Sequence, residues 1–143
     1  MKTVFSLLML IAAMPVWAQS ELAARAAKEP GAIVTRSGLV YRSLKNGTGK
    51  RPKATDTVIV QYRGTLANGT EFDSSYRRGQ PAEFPLNGVI PCWTEGVQRM
   101  RVGGKAKLTC PPSLAYGDQG AGGVIPPNAT LQFEIELLGI KRQ

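Results

Sequence analysis

The chain has no histidine at any of its 143 positions. That excludes catalytic arrangements that depend on histidine as general base, and it removes the usual zinc ligand sets. Neither a metal nor a cofactor is therefore expected. Cysteine is almost as scarce, with Cys92 and Cys110 alone. An even pair in an exported chain permits one disulfide; two buried thiols packing as small hydrophobes are the alternative. Acidic residues are outnumbered, 10 against 18 lysines and arginines, for a net charge of +8. A basic surface raises polyanions or an anionic membrane as partners. The charges are scattered, however, at Lys45, Lys50, Arg51, Lys53, Arg77, Arg78, Arg99, Arg101, Lys105, Lys107, Lys141 and Arg142. No long basic helix and no basic strand interleaved with aromatics appears, so the charge reads mainly as a solvated face and no specific nucleic acid partner is expected. Internal repeats and low-complexity tracts are absent as well.

A long apolar run occurs at one place, the beginning. Met1-Lys2 gives a positive start, Val4 to Ala13 is nearly unbroken apolar sequence, and Val16-Trp17-Ala18 sets small or apolar residues at the spacing a signal peptidase reads. A membrane-spanning helix needs about 20 apolar residues, so residues 1–18 read as a cleaved secretory signal rather than an anchor. No cysteine near the cleavage point suggests a lipid anchor. Cleavage would leave 125 residues with a net charge of +7, since Lys2 goes with the leader. That length is enough for one domain with a real core.

Residues 19–35 read as an N-terminal tail or linker. Ser20 to Lys28 is alanine-rich but too short to be a stable helix alone, and Pro30-Gly31 ends it. Period-two patterning then takes over, and residues 36–143 read as the folded domain. Leu39–Leu44, Thr57–Leu66, Thr70–Asp73, Lys105–Cys110 and Thr130–Leu137 are the expected strands. Asn68-Gly69 is a two-residue hairpin turn, because both positions tolerate positive φ. Glu83 to Leu86 is a short extended piece. Pro91 to Met100 is the one substantial helix expected: Pro91 suits a first turn, and Trp93, Val97 and Met100 form an apolar stripe. The sum is an α+β domain, a twisted antiparallel sheet of about five strands with one face packed on a short helix.

Three clusters carry the chemistry: Tyr62 with Phe72-Asp73; Val89-Ile90-Pro91-Cys92-Trp93; and Ala115-Tyr116-Gly117 with Val124 to Thr130. Singly, each is what the core of a small β protein would contain. Together, the stretches VIVQYRGTLANGTEFDSSY, GVIPCWTEGVQRMRVGGKAKLTCPPSLAYG and GVIPPNATLQFEIELLGI resemble the FKBP-type peptidyl-prolyl cis–trans isomerases, in order and near their spacing, over Gly38 to Ile140. The resemblance implies a half-barrel wrapped round a helix, with a pocket between them, and the short form suggests the periplasmic bacterial branch.

The resemblance also implies residue roles. Trp93 would floor a proline pocket walled by Tyr62, Phe72 and Phe133, with Phe84 beside it. Val89 and Ile90 would meet the ligand through their backbone, and Tyr116 would bond a substrate carbonyl. Asp73 would stand beside the twisting amide, and Arg78 would pair with the tyrosine and aspartate. Ile125 would form an apolar lip. Asp73 and Tyr116 are the expected catalytic pair. The fold would bring Cys92 and Cys110 together behind Trp93 as a disulfide. The chain departs from the commonest pattern at Ala82, Gly88, Ala121 and the short Leu86–Val89 segment, which opens one wall. The implied partners are proline-containing segments of unfolded exported proteins, and macrolide inhibitors. The short tail points to a monomer. Two other readings compete: a chaperone or peptide-binding module in which isomerisation is incidental, and a polyanion binder.

Overall fold

A computed structural model describes residues 15–142, so the expected signal segment lies outside the described residues except for its last few positions. Seven strands form one antiparallel sheet: β1 (Ala32–Val34), β2 (Val40–Lys45), β3 (Thr57–Thr65), β4 (Glu71–Ser74), β5 (Ala82–Pro85), β6 (Lys105–Cys110) and β7 (Leu131–Lys141). Their spatial order is β1-β2-β6-β7-β3-β4, with β5 also on β3. The two strands beyond the five expected are β1 and β5, each too short to carry a clear alternation.

The central pair follows directly from period-two sequence. Along β7, Leu131, Phe133, Ile135 and Leu137 are buried, whereas Glu134 is exposed. Along β3, Val58, Val60 and Tyr62 are buried. Registered as Val60 opposite Leu137 and Tyr62 opposite Ile135, they put a continuous apolar face towards the helix.

That helix, Pro91–Val97, ends three residues before the expected stop at Met100, in a turn closed by Met100 N–H donating to the Val97 carbonyl (3.0 Å). Trp93, Val97 and Met100 are all buried, so the apolar stripe outlasts the helix. Gly96 lets the helix lie close on the sheet: a Cβ there would overlap the Leu108 side chain of β6. Cys92 and Cys110 are joined in a disulfide, with Cα atoms 5.8 Å apart and both side chains fully buried.

Two further helices form, the first over the alanine-rich stretch that could be helical but reads as too short to be stable alone. Val16–Ala27 forms α1, so the segment read as a tail or linker is packed structure, not a free tail. Ala26 is buried, Lys107 pairs with Glu29 at 3.1 Å, and Gln19 Oε1 accepts the Thr130 N–H at 2.8 Å. These partners are distant in sequence, which is how twelve residues too short to be helical alone become so in context. Ser75–Arg78 forms the single turn α2, with Ser74 accepting from the Arg77 N–H at its start and Gly79 in the left-handed conformation (φ 81°) at its end. The helix Pro91–Val97 is α3 below.

Candidate active site

β4 and β5 pair with the same edge of β3 but with different halves of it. β4 meets Arg63 to Thr65 and β5 meets Thr57 to Val60. The edge of β3 at Gln61 and Tyr62 therefore has no strand beside it, and α2 fills the gap. Ser75 Oγ accepts the Tyr62 N–H (2.7 Å) and donates to Gln61 Oε1 (2.6 Å), supplying what a ladder would have supplied. This interruption has a functional consequence, because it places the last residue of α2 beside the ring of Tyr62.

Tyr62 Oη donates to Asp73 Oδ2 (2.5 Å) and accepts from Arg78 Nη2 (3.0 Å), while Arg78 Nη1 donates to Asp73 Oδ1 (2.6 Å). The Ser74 N–H also donates to Asp73 Oδ1 (2.9 Å). The three side chains form a closed triangle. Burial pushes the Asp73 carboxyl up, but the bonds from Tyr62 and Arg78, the Arg78 charge and the Ser74 N–H together outweigh it, and the group sits below its ordinary value. Burial, reinforced by the bond to the carboxylate, holds the Tyr62 hydroxyl above its ordinary range against the opposing pull of Arg78. Asp73 is thus an anion and Tyr62 a neutral donor at neutral pH, and the Arg78 guanidinium is held more firmly charged still.

Beside the triangle lies a cavity of about 440 Å³, lined by Tyr62, Phe72, Asp73, Phe84, Gly88, Val89, Ile90, Trp93, Tyr116 and Phe133. Trp93 is its organising ring. It stands edge-on to Tyr62 (5.1 Å between centroids), Phe84 (5.4 Å) and Phe133 (5.4 Å), and Phe133 stands edge-on to Phe72 (5.6 Å). Edge-to-face packing fixes each ring by its neighbours and leaves the walls rigid. Gly64 makes room for two of them, since a Cβ at that position would lie 2.6 Å from Phe72 and 2.9 Å from Phe133. Hydrogen-bond donors of the lining residues without a partner among the described residues include the Tyr116 hydroxyl, on a residue 41% exposed, the Trp93 indole N–H and the Ile90 N–H.

Nine of the expected site residues line this one cavity. Arg78 does not line it and acts on it only through Tyr62 and Asp73. Ile125 does not line it either: it is 7% exposed, packs in the core cluster and bridges to Ala121, while Val124 beside it is exposed at 54%. Sequence reasoning missed Ser75, Gln61 and Gly64. Ser75 and Gln61 offer no one-dimensional signal, because their roles exist only where a strand is interrupted; a glycine inside the alternating run of β3 was a signal for Gly64.

Comparison with known proteins agrees with this geometry. Residues 48–138 match the family model described as FKBP-type peptidyl-prolyl cis-trans isomerase. The chain is 60% identical over 121 residues to the FKBP-type peptidyl-prolyl cis-trans isomerase FkpA of Aeromonas hydrophila, covering 85% of this chain and 44% of that protein. It is 55% identical over 115 residues to FkpA of Escherichia coli K12, covering 80% and 42%. Among solved structures, it superposes on FkpA from Escherichia coli with a TM-score of 0.84 at 52% identity, covering 86% of this chain and 57% of that one. On a peptidyl-prolyl cis-trans isomerase from Pseudomonas syringae pv. tomato the TM-score is 0.83 at 36% identity, covering 91% and 98%. The chain spans less than half the length of the FkpA sequences it matches. With the fold, the ring-lined cavity and these likenesses in agreement, the chain belongs to the FKBP-type peptidyl-prolyl cis-trans isomerase family.

Proposed function

We propose that this chain accelerates cis–trans isomerisation of X–Pro bonds in unfolded exported polypeptides, acting in the periplasm. The carrying observation is the 440 Å³ cavity with three rings edge-on to Trp93 and a fixed anion at its rim. Rotation about a peptide bond is opposed by about 18–20 kcal/mol of amide resonance. No bond is made or broken, so neither nucleophile nor proton relay is needed. The planar amide is more dipolar than the twisted one, and a water-poor site that grips the proline ring favours the twisted form relative to water. Trp93, Tyr62, Phe72, Phe84 and Phe133 supply the apolar grip. Tyr116 Oη and the Ile90 N–H are free to hold flanking carbonyls, and Asp73 keeps its charge beside the turning amide. Macrolides of the size and apolarity of the cavity would compete for it.

Export is supported by the leader-like start at residues 1–18 and by the Cys92–Cys110 disulfide, which persists in oxidising compartments. No helix among the described residues is long and apolar enough to cross a membrane. The test is a proline-peptide isomerisation assay on the purified chain. Unaided X–Pro exchange takes tens to hundreds of seconds, and catalysis should shorten it in proportion to protein added. Tyr116→Phe should lower kcat/KM by about 5- to 10-fold, the loss of one hydrogen bond at low dielectric, with the melting temperature unchanged. A wild-type chain that leaves the uncatalysed rate untouched would end this reading.

A further inference from the structure

A second and larger cavity, about 570 Å³, lies at the other end of α3. Its lining includes Lys45, Arg51, Arg99, Arg101 and Lys105, with Tyr41, Ser43, Asn46 and Gln98, and not one carboxylate. Along the sequence these cations look scattered. The fold gathers them because the turn after β2 is sewn to the turn after α3: the Gly49 N–H donates to the Val102 carbonyl (3.0 Å) and the Val102 N–H to the Lys50 carbonyl (3.1 Å). Gly47 allows this approach, since a Cβ there would overlap the backbone of Arg101, Val102 and Gly104.

None of the five cations has an ion-pair partner among the described residues. Arg51 donates to the Arg99 carbonyl and Arg101 to the Gly49 carbonyl, which anchors the guanidiniums without neutralising them. Lys45 and Lys105 are register partners on neighbouring strands, an arrangement of like charges that costs stability. Glu136 lies opposite Lys105 on β7 but makes no ion pair with it. Arg99 and Arg51 both oppose the rise that burial causes at the partly buried Tyr41 hydroxyl, another residue of the cleft lining. A concave site with unneutralised charge of a single sign concentrates counter-ions.

We propose that this cleft is a second binding site, for a ligand bearing several linked phosphate groups. Three arginines favour phosphate, because the planar guanidinium fork pairs with two oxygens of one phosphoryl group. Cations on two separate turns favour more than one phosphoryl group. The volume falls in the ~300–1,000 Å³ range of ligand sites. The cleft shares no residue with the aromatic cavity, so the proposal stands apart from the isomerase reading.

The test is titration calorimetry on the full chain with tripolyphosphate, inorganic phosphate, and vesicles of phosphatidylglycerol or of phosphatidylcholine, at low and moderate salt. Tripolyphosphate should bind saturably, about tenfold or more tighter than inorganic phosphate, and weaken as salt rises. The double variant Arg51→Gln/Arg99→Gln should lose affinity by about tenfold or more, at unchanged isomerase activity. Lys28→Gln/Arg36→Gln, which removes the same charge from exposed positions outside the cleft, should stay within about twofold. Binding of phosphatidylglycerol vesicles lost in the same arginine variant, without saturable tripolyphosphate binding, would assign the cleft to an anionic surface of single phosphates and overturn the proposal. Equal loss in both double variants would reduce the effect to a diffuse field and overturn the proposal, as would equal affinity for phosphate and tripolyphosphate, or no binding to either probe. If Arg51→Gln/Arg99→Gln fails to fold, Lys45→Gln/Lys105→Gln replaces it with the same criteria.

Discussion

Breaking the Cys92–Cys110 bond tests how the site is held. The two residues are 18 apart in sequence, and both side chains are fully buried. Closing a loop of that length removes about 3 kcal/mol of unfolded-state entropy. Truncating the cysteines would add a cavity cost at each position, so reduction of the native sequence is the cleaner perturbation. The chain is unfolded in denaturant with reductant, refolded with reductant present, and compared with its oxidised form by equilibrium denaturation. The expected loss is about 3 kcal/mol, or roughly 10–15 °C in melting temperature for a chain of this size. Isomerase activity of the folded reduced protein, read well below its melting temperature, should stay within about twofold, because Trp93 is fixed independently by three edge-on rings. A stability loss under about 1 kcal/mol would refute the entropic argument. An activity loss near tenfold in folded reduced protein would show that the disulfide, not the ring packing, positions Trp93. A thiol count on unreduced, unfolded protein checks the premise.

Two further perturbations follow from the same geometry. The Asp73 carboxyl is held below its ordinary value, so its contribution to stability is fully present above the unfolded value of about 3.9 and is lost as pH falls through the folded one. Acid unfolding of Asp73→Asn should therefore show a shallower fall between about pH 5 and pH 2 than the wild type, and superimposable curves would remove the triangle from the account. Gly64→Ala drives a methyl into Phe72 and Phe133. Overpacking of about 1–3 kcal/mol exceeds the gain of up to ~1 kcal/mol from replacing a strand glycine, so denaturation should show a net loss and kinetics a raised KM. A more stable variant with unaltered KM would mean that the two walls are not close-packed.

Legibility in the sequence divided along physical lines. β3 and β7 were readable because each buries one face and alternates strictly, a local property. The stripe of Trp93, Val97 and Met100 was readable for the same reason, although not where the helix would stop. β1 was not, and β5 and α1 were legible only as a short extended piece and an alanine-rich stretch too short to stand alone, because the partners that fix them are distant in sequence. Gln19 finds its partner at Thr130, and β1 exists only as the neighbour of β2. The aromatic walls were recognised through resemblance, and nine of the expected residues do converge. The lip role of Ile125 was implied by resemblance alone, and local sequence says nothing of the Ala121–Ile125 bridge beside which it is buried.

The interrupted edge of β3 connects these observations. A sheet that continued past Gln61 would satisfy the backbone with another strand and leave Tyr62 as one more core ring. Breaking the edge strand into β4 and β5 costs ladder bonds, which Ser75 replaces, and it admits a turn carrying Arg78 to within 3.0 Å of a buried phenol. Asp73 gains its second partner by the same turn. A carboxylate on an intact strand beside apolar rings would be pushed towards protonation by burial alone. Here the break brings up the cation that, with the Tyr62 phenol, keeps it charged in the acidic wall of the cavity. The anion at the rim is therefore a product of sheet topology as much as of residue identity, and moving α2 while leaving Asp73 in place should raise its pKa.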